Sequence, residues 1–287
     1  MNVCVIPAFN RPEYLHICLE YIQKADGAEN ITYIFALDIG ASPDNERVIK
    51  EFPFKKYIVT PKERINGIAK QSFNVLNGLI AGANMSDELV FYVEDDVFVG
   101  KDFFTFSEKI HKKEKGIFCS ILSHNVNGHD KTINDLNAYY TKKTHEYCGI
   151  GSCYKAKALL KYVLPDFNND YFKQPLTYVK LHYPKSVLNN SYYEQDGLIR
   201  RILEHNGLSV AFAHVPRCFH AGFYGYHRSP KVNVRDLNQR EKIKLIKDVV
   251  FDFEKLKKIS EIGWYAEDSK PVELNTNHTK CYKRKVI

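Results

Sequence analysis

No stretch of this sequence approaches the roughly 20 consecutive apolar residues that a bilayer-crossing helix needs, so a membrane-spanning chain is not expected. The start of the chain offers no basic stretch and no long apolar run before Val3-Cys4-Val5-Ile6 and Pro7, which argues against a secretory leader and for a cytoplasmic location. Among the seven cysteines, at 4, 18, 119, 148, 153, 218 and 281, there is no CxxC pair. Zinc-ribbon and dithiol redox chemistry are thereby disfavoured, and reduced thiols are the simpler account. Internal repeats and low-complexity linkers are missing as well. Tryptophan occurs once and methionine twice.

What the chain does have is a core-forming composition: 44% of its 287 residues are hydrophobic, 26% charged and 13% aromatic, the profile of a folded globular protein. Lysine plus arginine outnumber aspartate plus glutamate by 41 to 34, a formal charge of +7 that favours an anionic partner through a diffuse field. The basic residues are spread out, as ordinary solubilising lysines would be; only Lys280, Lys283, Arg284 and Lys285 form a compact cluster. Nineteen tyrosines and 18 phenylalanines supply flat surfaces that suit sugars and bases, or a core.

Along the first ninety residues short apolar runs alternate with longer periodic ones. Val3 to Ile6, Ile31 to Leu37, Tyr57 to Val59 and Leu89 to Val93 read as buried strands. Between them, helical spacing covers about 12 to 24, 43 to 51 (with Pro43 near its start) and 64 to 83. Strand and helix alternating in this rhythm predict an α/β fold: a mostly parallel sheet with helices on both faces. Residues 122 to 148 read as a polar loop and 165 to 192 as a segment rich in proline, tyrosine and asparagine. Helices are expected over 155 to 164, 194 to 205 and 237 to 258, with a strand over 208 to 213. One domain with an elaborated C-terminal half is the economical description.

In parallel sheets ligands gather beyond the carboxyl ends of the strands. Three of those ends carry polar residues here: Asn10 and Arg11, Asp38, and Glu94-Asp95-Asp96. Three carboxylates directly after an apolar strand repel one another unless a cation or several donors meet them. A divalent metal is the natural partner, because hard ions such as Mg²⁺ or Mn²⁺ take carboxylate oxygens and fill their remaining positions with water and phosphate oxygens. The alternative is an acidic cap on the helix that follows Asp102.

The segment Val93-Glu94-Asp95-Asp96-Val97-Phe98-Val99 followed by Asp102-Phe103-Phe104 resembles the Glu-Asp-Asp segment of N-acetylglucosaminyltransferase I and its relatives, which are inverting glycosyltransferases of the GT-A fold. Ile6-Pro7-Ala8-Phe9-Asn10-Arg11-Pro12 is similar to the first nucleotide-binding turn of GT-A enzymes, and Leu37-Asp38-Ile39-Gly40 to their second. Gly149-Ile150-Gly151, Glu194-Gln195-Asp196 and His220-Ala221-Gly222 follow in the order those enzymes use, so the resemblance spans about residues 1 to 228. It implies a Rossmann-like GT-A catalytic domain over 1–235, with a nucleotide-sugar half (1–96) and an acceptor and catalytic half (97–235), before a C-terminal helix and basic tail over 236–287.

Residue by residue, the resemblance implies Asp96 as a metal ligand, with His220 completing the metal shell or touching the diphosphate, and Glu94 and Asp95 near the ribose and donor sugar. Pro7, Asn10 and Arg11 would line the nucleotide, Asp38 would meet the uracil edge, and Gly149 and Gly151 would let backbone approach the sugar. Asp196 is the implied catalytic base, since displacement at an anomeric carbon needs a carboxylate opposite the leaving diphosphate to take the acceptor proton. Glu194 is the other candidate, and both carboxylates could instead simply cap a helix. The cofactor expected is Mn²⁺ or Mg²⁺ and the co-substrate a UDP-sugar. A departure is that the helix over 64 to 83 lacks the histidine that contacts uracil in N-acetylglucosaminyltransferase I. His227 and Arg228 could clamp phosphates, and the tyrosines of 139 to 147, 171 to 193 and 223 to 226 could stack on an acceptor.

For the acceptor, a basic chain rich in lysine, asparagine and tyrosine and without an anchor resembles the DNA-modifying glucosyltransferases of T-even-type phages. That likeness implies double-stranded DNA carrying glucosylated hydroxymethylcytosine as partner, in a host cytoplasm. The competing acceptor is a cell-surface or capsular saccharide. Two other classes stay open. A nucleotidyltransferase usually needs a glycine-rich basic loop after its first strand, whereas Pro7-Ala8-Phe9-Asn10-Arg11 has one arginine and no glycine. A non-catalytic DNA- or glycan-binding protein explains charge and tyrosines but not the carboxylates.

Overall fold

Successive side chains of β1 (Asn2–Ala8) divide between two faces, as a strand buried on both sides requires. Cys4, Ile6 and Ala8 join one core, Val3 and Val5 the other. The computed structural model describes residues 1–61, 69–123, 137–143, 151–163, 175–186, 195–214 and 216–220, with the backbone of short strands at 264–265, 271–272 and 284–286.

β1 is followed by α1 (Pro12–Gln23), β2 (Ile31–Leu37), α2 (Pro43–Glu51), β3 (Lys56–Val59), α3 (Ala69–Met85) and β4 (Leu89–Tyr92). Pro12 and Pro43 stand at the first turns of α1 and α2, where a missing N–H costs nothing. The second half adds β5 (Val97–Val99), α4 (Phe103–Lys113), β6 (Ile117–Ile121), β7 (Ala138–Lys143), β8 (Ser152–Lys155) and α5 (Ala156–Tyr162). Then come α6 (Pro175–His182), α7 (Gln195–Asn206), β9 (Ser209–Ala213) and β10 (Cys218–His220). β11 (Trp264–Tyr265) pairs with β12 (Pro271–Val272), and β13 (Arg284–Val286) runs beside β7.

Among the described residues, nine strands form one sheet in the order β13-β7-β9-β6-β8-β4-β1-β2-β3. The β3-β2-β1-β4 portion is parallel throughout, and only β8 and β7 run against the other strands of the sheet. The mostly parallel α/β fold class expected from the sequence is therefore the one observed. α1, α2 and α4 cover one face, and α3, α5, α6 and α7 the other. No described helix is long and apolar enough to cross a membrane.

Two expectations change. The 122–148 segment contains β7, whose Ala138, Tyr139 and Tyr140 are buried. Tyr140 stacks on Phe212 of β9 with ring centroids 5.2 Å apart, and the Tyr139 hydroxyl donates to Glu114 Oε1 at 2.8 Å. Both tyrosines thus bury their rings, and that of Tyr139 keeps a partner for its hydroxyl, so two members of the expected acceptor stretch 139 to 147 belong to the core. The 165–192 segment likewise contains a helix, α6. The expected helix at 237–258 lies outside the described residues.

α3 approaches β1 through two glycines one helical turn apart. A Cβ on Gly82 would stand 2.7 Å from Val5 Cγ2 and 3.1 Å from Val90 Cγ1, and one on Gly78 2.8 Å from Ala36 Cβ. Valine side chains are stiff and cannot yield. Alanine gains about 1 kcal/mol of helix propensity over glycine but loses more to overpacking, so Gly82→Ala should destabilise by ~1–2 kcal/mol in urea unfolding. Gly116→Ala, where nothing lies within 4 Å, is the control and should stay within about 0.5 kcal/mol of the parent.

Five cysteines, Cys4, Cys18, Cys119, Cys153 and Cys218, are fully buried and unbridged. This agrees with the reduced thiols expected from their spacing.

Candidate active site

The turns after β1 and β2 are tied together at one carbonyl. Phe9 O accepts from Ser42 N and from Asn45 Nδ2, each at 2.7 Å. Asp38 holds its own turn, its Oδ1 accepting from Ile39 N at 2.8 Å while its O accepts from Ala41 N at 2.9 Å. Asn10 is exposed on the adjacent turn, and Pro7 lies in β1 opposite Ala36, beyond the stretch of β1 that pairs with β4. A proline is tolerated there because its side toward β4 has no ladder bond to donate. The two turns expected to serve the nucleotide are neighbours at one edge of the sheet.

β4 delivers the acidic segment to that same edge. Val93 N donates to Val5 O, and Val97 N closes a tight turn onto Glu94 O. Asp95 and Asp96 are both nearly fully buried. Arg11, at the N-cap of α1, meets them both: Nη1 donates to Asp96 Oδ2 at 2.7 Å, and Nη2 pairs with Asp95 Oδ1. Burial pushes the Asp95 carboxyl up to about 7, against the pull of Arg11 and with the push of Asp96. Burial also opposes charge on Asp96, but Arg11 and then His220 outweigh it and hold that carboxyl well below the usual range. Glu94 is raised by burial and then by Asp96. Its Oε1 accepts from the Tyr92 hydroxyl at 3.0 Å.

The helix-cap alternative for these carboxylates does not hold. α4 begins at Phe103, after β5 has intervened, and the Asp102 side chain makes no cap bond but accepts from Arg217 Nε at 2.9 Å.

His220 arrives by register. β10 pairs antiparallel with β5, setting His220 opposite Val97 and its Nε2 3.4 Å from Asp96 Oδ2. Gly151 sits beside the same strand with φ +66°, and a Cβ there would fall 2.2 Å from Cys218 Sγ. Packing against β10 alone therefore demands glycine at 151. Gly149, Glu194, His227 and Arg228 lie outside the described residues.

Asp196 is partly buried in the first turn of α7. Its neighbour Gln195 anchors that turn to α3: Ser72 Oγ donates to Gln195 Oε1 at 3.0 Å and accepts from Gln195 N at 3.1 Å. The Tyr92 phenol is pushed up by burial, then by Glu94 and by Asp196, and Tyr154 by burial, Cys119, Asp196 and Glu94. Glu94 and Asp196 thus act on the same two tyrosines, Tyr92 at the end of β4 and Tyr154 within the adjacent β8. Tyr92 and Tyr154 were not singled out by sequence. A tyrosine closing an apolar strand immediately before an acidic turn was the available signal.

The residues present fit a divalent cation in one respect. Asp96 Oδ1 is buried and accepts no hydrogen bond, a lone-pair oxygen with no donor to meet it. Among the described residues no three His, Cys, Asp or Glu side chains converge as a closed metal cage would. Asp96 and His220 would be the protein's share of an open shell whose other ligands are water and phosphate oxygens.

No protein-family model and no curated protein matches the sequence. Among solved structures the chain is similar to Staphylococcus aureus TarS, with 11% identity and a TM-score of 0.50 over 91% of this chain and 42% of that one. It is also similar to an active-site mutant of LgtC, at 13% identity and a TM-score of 0.49 over 89% and 99% of the two chains. A third is the mannosyltransferase PcManGT from Pyrobaculum calidifontis, solved with GDP-Man and Mn²⁺, at 12% identity and 0.42 over 75% and 57%. This chain spans less than half of the one TarS structure and 70% of the TarS 1–349 structure. At this identity the likeness is one of fold alone: the chain shares a mixed α/β sheet with TarS.

Proposed function

We propose that the chain is a metal-dependent, inverting glycosyltransferase that moves a hexose, glucose from UDP-glucose, onto a sugar acceptor. The observation that carries this reading is the meeting of Arg11, Asp95, Asp96 and His220 at the carboxyl edge of a parallel sheet, with one buried Asp96 oxygen left without a donor. Such an edge suits an anionic nucleotide: Arg11 offers a guanidinium to phosphate, and the joined turns at Phe9 and Asp38 offer a wall for the base. Asp38 is the residue for a base imide N–H.

A divalent ion held by Asp96 and His220 would neutralise charge gathering on the leaving diphosphate. Asp196, in the first turn of α7, takes the proton from the acceptor hydroxyl as its oxygen bonds to the anomeric carbon. The bond from that carbon to the diphosphate oxygen breaks with its electron pair leaving on UDP, so configuration inverts. Tyr92 holds Glu94 through its hydroxyl and keeps that carboxylate beside the donor sugar.

For the acceptor, the +7 charge favours a polyanion, and the leading candidate is double-stranded DNA bearing glucosylated hydroxymethylcytosine. Incubation with radiolabelled UDP-glucose and Mn²⁺, with either that DNA or oligosaccharides, decides it. Label retained in DNA is the expected result, and label only in oligosaccharide moves the acceptor to a capsular or cell-surface saccharide. No transfer to any acceptor and no donor turnover would sink the glycosyltransferase reading and favour a binding protein.

A further inference from the structure

Two neighbouring buried carboxylates need positive charge, and in this structure Arg11 supplies it. The guanidinium spans Asp95 and Asp96 at once, one nitrogen to each. A divalent cation on Asp96 would bring two further positive charges against a guanidinium already in contact with the same carboxylate. Two cations cannot share so small a buried volume without strong repulsion unless one of them gains another anion.

We infer that Arg11 is a displaceable stand-in for the metal: it neutralises Asp95 and Asp96 while the site is empty, and gives up Asp96 when a metal-bound diphosphate arrives to receive it. This rests on the metal and nucleotide reading above and adds to it an order of events. Arg11 is suited to the exchange because its backbone is fixed while its guanidinium, which also lies 5.2 Å over the Tyr14 ring, stays partly exposed. The Arg11 carbonyl already accepts from Tyr14 and Leu15 N at the start of α1, Pro12 follows, and the side chain retains 20% exposure against 5% for that of Asp96. The direction of release is set by α1 itself, whose N-terminus lies at Arg11 and favours an incoming anion. On Asp96 the division of labour is visible atom by atom. Oδ2 carries Arg11 and lies near His220, while Oδ1 meets no donor, so a metal can engage Oδ1 before the guanidinium leaves Oδ2.

The consequence is that metal alone binds weakly, because it must displace an ion pair with nothing to receive the arginine, and metal with nucleotide binds well. Mn²⁺ titrations read by electron paramagnetic resonance test this on the full chain. Wild type should gain at least about tenfold in Mn²⁺ affinity when UDP is added. Arg11→Gln, which removes the competitor and leaves the carboxylates unneutralised, should bind Mn²⁺ without UDP at least about tenfold tighter than wild type does, with Arg11→Lys in between. Equal Mn²⁺ affinity of Arg11→Gln and wild type without UDP overturns the inference alone. Wild type that binds no Mn²⁺ even with UDP overturns the metal reading beneath it. Should the glutamine variant fail to fold, crystal structures of wild type with and without Mn²⁺ and UDP decide. Arg11 should leave Asp96 in the complex, and a guanidinium still bridging both carboxylates beside a bound metal rejects the exchange.

Discussion

Asp96→Asn should reduce sugar transfer by roughly a thousandfold or more while leaving the fold in place. The neutral amide keeps the shape of the side chain but loses the charge with which Asp96 would hold a hard cation, and Lewis-acid stabilisation of a leaving diphosphate is worth several kcal/mol, about 4 kcal/mol for each thousandfold. The loss should fall on kcat, because the ion acts on charge that develops in the transition state. Stability should fall by about 1–3 kcal/mol, because Arg11 and His220 lose the charged Asp96 carboxyl that they hold below its usual range, while Arg11 keeps its pair with Asp95. Steady-state kinetics across a Mn²⁺ series, with thermal unfolding alongside, provide the check. Turnover that is unchanged, with an unchanged metal requirement, removes Asp96 from the centre of the site. It would also strip the glycosyltransferase reading of its main support.

The second large effect concerns the base. Asp196→Asn should lower kcat by about 10²–10⁴, the range that a positioned general base contributes, with the donor KM and Mn²⁺ affinity nearly unchanged. The same substitution removes a negative charge from the first turn of α7, a matter of about 0.3–1 kcal/mol in stability, so lost activity at normal stability separates catalysis from helix capping. Glu194→Gln is the companion measurement. If it shows the loss and Asp196→Asn does not, the proton goes to Glu194 instead. If neither variant loses more than tenfold, no carboxylate of this segment acts as base.

The first half of the fold was legible because its signals are local. β2 and α2 stand over the residues their apolar run and Pro43 marked. The strand ends with polar residues at 10, 38 and 94 lie at one edge of the sheet, the edge on which the proposed site is built. β7 was hidden because half of its residues are polar, and its burial depends on Phe212, about seventy residues away, and on the sheet around it. β5 and β10 are three residues each, too short for any periodicity to register. Yet it is their ladder that carries His220 to Asp96.

The acidic turn shows a different kind of limit. Charge arithmetic asked for a cation or several donors beside residues 94 to 96, with a divalent metal as the natural one, and could not say that the Arg11 guanidinium would meet Asp95 and Asp96. Adjacency of β1 and β4 in the sheet decides it, and adjacency is a property of the topology rather than of any one segment. Asp38 shows the reverse case: its local turn bonds are the kind that a Leu-Asp-Ile-Gly sequence announces by itself.

The sealed thiols give the molecule a set of internal stopwatches. Cys4, Cys18, Cys119 and Cys153 are held by burial far on the protonated side, so none reacts until its surroundings open, and the rate at which each is alkylated counts openings at that place. Cys119 lies in one layer of the core and the other three in the layer opposite, so the two faces of the sheet can be timed separately in a single mass-spectrometric run. Cys18 has the best vantage: its Sγ lies 3.7 Å from the carbonyl of Glu94, directly under the acidic turn. A slower clock there than at Cys119, once donor is added, would register the quieting of the edge that carries the proposed site.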